Sequence, residues 1–300
     1  MDAWVREHLH PDEWVAHSEV LHGGISTVAR KLNIVSAEGS SRALVLRLYD
    51  DRVSRPRAER LLSDEADTLR LLGRTDIPAP ELVAVDTSGA RSGRPALLMT
   101  CLPGRTRLED NGIEVRVAQL ARRLVDIHRV DPGERLPVFE TLSTAESAVV
   151  PTGAETRLWS AAKNLIRAPA PSYEGRMLHR DFQPGNVLFD DAQRLTGVVD
   201  WAAGCWGPAD LDVAHCATNL ALLHGSAWGL RFVEAYERAG GTLAAEPGAR
   251  RFWLVRDVLA ASEELREIST PWRELGRPEL TPYVLGERLN AYLRSVVVLE

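Results

Sequence analysis

The sequence predicts an α+β fold in which strands and helices are segregated along the chain. Three observations predict it. Before residue 102, short apolar runs alternate at period two and are separated by glycine- and proline-containing turns. After it, apolar residues recur at helical spacing. Leu102-Pro103-Gly104 marks the change. The expected division is 1–102, a small β-rich part with one main helix, and 103–300, a larger and mostly helical part.

In the first part, residues 2–9 suit a short helix ahead of Pro11. Residues 28–35 alternate and read as a strand. Gly23-Gly24-Ile25-Ser26-Thr27 separates it from an earlier strand. Such a tip can bring backbone N–H groups close to a phosphate, although a glycine pair is more often a plain hairpin turn. Residues 43–49 form a third strand, with Val45, Arg47 and Tyr49 on one face and Leu44, Leu46 and Leu48 on the other. A helix is expected over 56–72, with Leu62, Glu65, Ala66, Leu69 and Leu72 on one stripe. Glu65 on a buried stripe needs a partner, because an unpaired buried charge is costly. Arg47 is the nearest candidate. Strands over 81–86 and 96–101 complete this part.

In the second part, Val117, Leu120, Ala121, Leu124, Ile127 and His128 recur at helical spacing. Further helices are expected at about 154–167, 209–224, 227–239, 248–268 and 278–297. Between them lies MLHRDFQPGNVLFDDAQRLTGVVDW, residues 177–201. Its two apolar runs, 187–189 and 197–199, read as a hairpin turning at DDAQ. Asp181 precedes the first run, Asn186 stands at its start, and Asp200 ends the second. Two carboxylates and a carboxamide at the ends of one small β element suit a metal ion and a phosphate. The same residue types are common in turns. Residues 204–208 read as a tight loop. Asp210 and Asp212 then open a helix, where carboxylates suit the cap and the dipole.

A net charge of −6 argues against a nucleic-acid partner, which would call for a basic surface. Three cysteines in no metal or disulfide pattern suggest a reducing compartment. The first residues carry no apolar signal core, and no run is long enough to span a bilayer. The expectation is a cytoplasmic protein with no membrane partner.

The run His179-Arg180-Asp181-Phe182-Gln183-Pro184-Gly185-Asn186 is similar to the H-x-D-x-x-x-x-N catalytic loop of protein kinases and small-molecule kinases. With Asp200, Gly207-Pro208 and Asp212-Val213-Ala214, the chain resembles the aminoglycoside phosphotransferase-like family of the protein-kinase-like superfamily. The resemblance implies a bilobal protein-kinase-like fold and an ATP- or GTP-dependent O-phosphotransferase using Mg²⁺. In that scheme Asp181 is catalytic, orienting or accepting the proton of the acceptor hydroxyl, and Asn186 and Asp200 hold Mg²⁺. His179 braces the loop and Asp212 hydrogen-bonds its backbone. Arg47 touches the α/β-phosphates and Glu65 holds it. The Gly24 backbone, Ser26 and Thr27 cover the phosphates. The backbone of Met99, Thr100, Cys101 and Leu102 faces adenine, and Val45 roofs it. There are three departures: arginine at 47 where kinases usually carry lysine, no G-x-G-x-x-G, and Gln183 where antibiotic kinases often carry histidine or another polar residue.

No activation segment separates Asp200 from the helix opened by Asp212, and no A-P-E follows. This points away from a protein kinase, toward a small acceptor held between the catalytic loop and the C-terminal helices. Glu263, Glu264 and Glu267, read on one helix, could bind amino groups or form a solvated face with Arg266. Trp201, with Trp206, Trp253 and Trp272, could line an acceptor pocket or pack in the core. An aminoglycoside-like acceptor is the first expectation, with a macrolide or a choline- or homoserine-type metabolite as alternatives. A catalytically silent nucleotide-binding regulatory protein is the reading from another class. The intact Asp181, Asn186 and Asp200 argue against it.

Overall fold

The computed structural model describes residues 2–21, 27–49, 53–133, 136–140 and 143–297. The chain divides into two units. One comprises residues 1–103 with 196–204, the other 104–195 with 205–300.

The first unit contains α1 (Asp2–Glu7), β1 (Glu13–Leu21), β2 (Thr27–Ser36), β3 (Ser41–Tyr49), α2 (Arg55–Leu72), β4 (Leu82–Asp86) and β5 (Ala96–Thr100). The strands form one antiparallel sheet in the order β1-β2-β3-β5-β4. Alternation on β3 sets its two faces. Leu44, Leu46 and Leu48 pack with Trp4, Val5, Leu32, Ile34, Ala96 and Leu98. The expected stripe of α2 is buried, Glu65 included, and the helix packs on β4 and β5. The distant segment 196–204 is tied into this unit. The Val198 amide donates to the Pro78 carbonyl at 2.8 Å, and the Thr196 hydroxyl to the Pro103 carbonyl at 2.6 Å. Gly197 lies against Leu102, where a Cβ would come within 2.6 Å of Cδ1.

The second unit contains α3 (Ile113–His128), α4 (Thr156–Ile166), β6 (Gly175–Leu178), a 3-10 turn (Pro184–Asn186), β7 (Val187–Phe189), β8 (Leu195–Val198, whose last three residues lie in the first unit), β9 (Cys205–Pro208), α5 (Ala209–His224), α6 (Ser226–Arg238), α7 (Pro247–Ala261), α8 (Leu265–Glu274) and α9 (Pro282–Val297). The hairpin expected at 187–199 is β7 with β8. Its turn is closed by the Asp190 amide on the Arg194 carbonyl at 2.9 Å. Gln119 of α3 clamps that turn, donating to the Gln193 carbonyl at 2.7 Å and accepting from the Leu195 amide at 2.8 Å. Helix α5 is buried on nearly every side, so it is the central helix of its unit. It packs against α6, α7 and α9.

Two expectations fail here. Residues 204–208 are not merely a loop, because β9 pairs antiparallel with β6, Met177 opposite Trp206. Gly207-Pro208 reads as a turn, yet Pro208 sits at the strand's last position, where it also precedes α5. The helix expected over 248–268 is two helices. Ser262 is buried, donates to the Leu259 carbonyl at 2.6 Å and accepts from the Val149 amide at 3.0 Å. That long-range anchor, which no glycine or proline announces, turns the chain between α7 and α8. Among the described residues no helix is long and apolar enough to cross a membrane. The three cysteines are free thiols.

A Cβ on Gly175 would overlap the Trp206 indole, whereas one on Gly248 meets nothing within 4 Å. Gly175→Ala is therefore expected to lower stability by about 1–3 kcal/mol through overpacking, and Gly248→Ala to leave it nearly unchanged. Urea unfolding midpoints of the two variants check this contrast.

Candidate active site

In the first unit, Arg47 and Tyr49 point from β3 away from the leucine face. The Arg47–Glu65 pair expected from the sequence is present. Arg47 Nη1 donates to Glu65 Oε1 at 2.9 Å and also to Asp200 Oδ1 at 2.9 Å. Both members of the pair are buried. Burial disfavours the guanidinium charge, but the carboxylates of Glu65 and Asp200 outweigh it and hold Arg47 well above its ordinary range. Arg47 Nε is buried and has no hydrogen-bond partner, so donor capacity remains on this side chain. Asp200 is partly exposed and adopts φ 67°. Arg180, Gln193 and Asp200 are the non-glycine residues with positive φ among the described residues. Strain of this kind clusters at functional sites, and two of the three belong to the motif.

Val45 pairs with Met99 across β3 and β5. The Thr100 amide donates to the Glu81 carbonyl at 2.9 Å and the Cys101 amide to the Ala43 carbonyl at 3.1 Å. These two donors are spent within the sheet and are not open to an adenine edge. Thr27 pairs with Tyr49 at the start of β2. Gly24 and Ser26 lie outside the described residues. Trp201 takes the other role read for it, packing in the core. It is fully buried within the first unit, and its indole N–H donates to the Val198 carbonyl at 2.9 Å.

In the second unit, the fully buried Asp212 opens α5 and accepts the His179 amide at 2.7 Å and the Arg180 amide at 2.8 Å. This is the backbone contact expected of it. His128 Nε2 lies 3.3 Å from Asp212 Oδ2, and its Nδ1 meets the Tyr236 hydroxyl at 2.7 Å. Burial pushes the Asp212 carboxyl up, but the His128 contact and the donated amides prevail and hold it below the carboxylate range. His179 braces the next step, its Nδ1 accepting the Asp181 amide at 3.2 Å. The bend this requires puts Arg180 at φ 70°.

Asp181 thus emerges with a fixed backbone. Its Oδ1 accepts from Gln183 Nε2 at 2.9 Å and lies 3.0 Å from His215 Nε2. Its Oδ2 accepts from Asn186 Nδ2 at 2.8 Å. Asn186 Nδ2 also donates to the Asp181 carbonyl at 2.9 Å, so the amide oxygen of Asn186 is turned away from Asp181. Burial acts to raise the Asp181 carboxyl, but the His215 contact dominates and lowers it. Sequence reasoning missed His215 and Asp257. His215 stands three residues after Asp212, on the same helical face, which was a usable signal. Asp257, 3.2 Å from His215 Nδ1, had none.

The three glutamates do not share a helix. Glu263 and Glu264 lie in the turn after α7, and Glu267 in the first turn of α8. Glu263 accepts from the Ser147 hydroxyl at 2.8 Å. Glu264 is exposed, and its carboxyl is raised by partial desolvation and by Asp181, with His215 opposing.

Asp212→Asn keeps the volume but turns a donor toward the loop amides or His128. It is expected to cost about 2–4 kcal/mol by leaving buried donors unmatched. The Asp212 carboxyl is lowered in the folded state, so its stabilisation is present above the unfolded carboxylate range and is lost as pH falls through the folded value. The stability gap between wild type and variant, from unfolding curves at several pH values, is expected to narrow in acid.

The phosphotransferase enzyme family matches residues 30–253. Among solved structures, an assigned aminoglycoside phosphotransferase of Ralstonia eutropha JMP134 is 16% identical, with 98% of this chain and 97% of that one covered and a TM-score of 0.62. A thermostable mutant of aminoglycoside phosphotransferase APH(4)-Ia, in ternary complex with ADP and hygromycin B, is 17% identical over 98% of each chain, with a TM-score of 0.60. Macrolide 2′-phosphotransferase type I is 16% identical over 93% of this chain and 95% of that one, with a TM-score of 0.59. At such identities the structures speak for the α+β kinase-like fold, and the family match speaks for the reaction class. The chain belongs to the phosphotransferase enzyme family and is a small-molecule kinase-type phosphotransferase.

Proposed function

We propose that the chain transfers the γ-phosphate of ATP, or of GTP, to a hydroxyl of an aminoglycoside-like or other small acceptor, with Mg²⁺. The observation that carries this reading is the Asp181 carboxylate, fixed by Gln183, His215 and Asn186 and still partly open to solvent. Phosphoryl transfer asks for positioning and charge neutralisation rather than covalent help. Asp181 orients the acceptor hydroxyl and takes its proton as the bond from its oxygen to the γ-phosphorus forms and the bond from that phosphorus to the β-phosphate oxygen breaks, releasing the nucleoside diphosphate. Arg47, steadied by Glu65, faces the nucleotide phosphates. Thr27, at the start of β2, covers them. Val45 and the segment Met99 to Leu102 bound the base, with Leu102 and the remaining carbonyls supplying polar contacts. The structure of APH(4)-Ia with ADP and hygromycin B supports a nucleotide and a small-molecule acceptor as the two substrates.

The residues present fit Mg²⁺. The Asn186 amide oxygen is turned away from Asp181, and Asp200 Oδ1 is held by Arg47. Both are hard oxygen donors. Among the described residues no group of three or more His, Cys, Asp or Glu side chains forms a metal cage. When bound, Mg²⁺ supplies charge neutralisation at the β- and γ-phosphates. The chain's own contribution is to hold Asn186 and Asp200 in place, through Asp181 and Arg47.

A panel of aminoglycosides, macrolides, choline and homoserine with Mg·ATP or Mg·GTP is expected to give acceptor-dependent nucleoside diphosphate release with at least one compound. Nucleotide binding with no turnover across the panel would contradict the reading. Against an active acceptor, Asp181→Asn is expected to lower kcat by roughly 10²–10⁴-fold, the usual range for a general base. Asn186→Ala and Asp200→Ala are each expected to raise the Mg²⁺ concentration giving half-maximal rate. An unchanged rate for Asp181→Asn would exclude it as the base.

A further inference from the structure

One face of α5 makes two contacts with the loop at once. Asp212 holds the loop backbone through the His179 and Arg180 amides, and one turn later His215 meets the side chain of Asp181. His215 is bridged on both ring nitrogens. Nε2 lies 3.0 Å from Asp181 Oδ1 and Nδ1 lies 3.2 Å from Asp257 Oδ1. A neutral imidazole has one lone pair, and either tautomer would set that lone pair against a carboxylate oxygen. Only the imidazolium donates to both. Asn219 Nδ2 is 3.3 Å from Nε2 and donates to the His215 carbonyl at 2.9 Å; its second hydrogen could serve a bare Nε2, but that would leave the closer Asp181 Oδ1, at 3.0 Å, facing a lone pair. Burial acts to lower the His215 pKa, yet Asp257 and Asp181 raise it to about 10. Asp257 is itself mostly buried, and its second oxygen has no hydrogen-bond partner, which leaves His215 as its bonded counter-charge.

A carboxylate offers about four acceptor positions, two on each oxygen. On Asp181, Gln183 and His215 take both positions on Oδ1, and Asn186 takes one on Oδ2. We propose that His215, backed by Asp257, is a positioning residue for phosphoryl transfer: it closes Oδ1 and fixes the carboxylate so that only Oδ2 is open to the acceptor hydroxyl. This rests on the phosphotransferase reading above. His215 touches neither substrate in this role and acts through Asp181. An Asp181 freed from His215 can rotate and present either oxygen, which misplaces the hydroxyl relative to the phosphorus.

The test is a double-mutant cycle of His215→Ala and Asp257→Asn with an active acceptor. His215→Ala is expected to lower kcat by about 10–100-fold, the scale of a misplaced reactive group, with the nucleotide KM little changed. Added imidazole is expected to restore part of the rate. Asp257→Asn is expected to cost less, and the double variant no more than His215→Ala alone, because Asp257 acts through His215. A wild-type kcat in His215→Ala, or fully additive losses, would overturn the proposal. Should His215→Ala fail to fold, Asp257→Asn carries the kinetic arm, and a kcat equal to wild type there overturns it. Nitrogen-15 NMR of the wild-type protein at neutral pH needs no turnover. Both His215 nitrogens are expected to be protonated, and a neutral single tautomer would overturn the proposal directly. A wild type inactive with every acceptor would instead sink the phosphotransferase reading, with the imidazolium still detectable if the network is as described.

Discussion

One buried carboxylate, Asp212, governs the geometry of the second unit. It has no exposure to water, so its charge must be met from within. Two loop amides and His128 meet it. The same bonds that satisfy the carboxylate fix the backbone at His179 and Arg180, and so fix where Asp181 leaves the loop. Charge satisfaction and placement of Asp181 are therefore one constraint. The left-handed Arg180 is the local strain this entails, and the buried bonds at Asp212 hold it in place.

The first unit applies the same logic with the opposite sign. Arg47 is a buried cation that needs anions, and it takes one from α2 and one from the segment that returns at 196–204. The Asp200 carboxylate is thereby positioned by the sheet, although it lies far from the sheet in sequence. At Arg47 the single nitrogen Nη1 serves both carboxylates, and Nε is left without a hydrogen-bond partner. The departure from the lysine usual in kinases is thus accommodated by geometry.

Much of the fold was legible because periodicity is a local property. The β3 alternation and the α2 stripe, Glu65 included, came through as read. Long-range contacts were not legible. The α7–α8 break depends on the Val149 amide reaching Ser262, and β9 depends on a partner strand some thirty residues earlier. Trp201 looked available for a ligand because sequence cannot tell a buried indole from an exposed one. His215 was passed over because a histidine within an apolar helix has no periodic signature beyond its spacing from Asp212. Asp257 and Gln183 acquire meaning only once the fold brings them to Asp181 and His215.

In the proposed reaction Asp181 positions and deprotonates a hydroxyl for direct attack on phosphorus and is not itself the nucleophile. Three of its four acceptor positions are already filled by the chain, which suits a hydrogen-bond acceptor better than an attacking group. The stereochemical course at phosphorus decides between the two. With a nucleotide chirally labelled at a γ-thiophosphate and an active acceptor, the account predicts inversion of configuration, as a single in-line transfer requires. Retention would indicate two displacements through a phosphorylated enzyme and would contradict it.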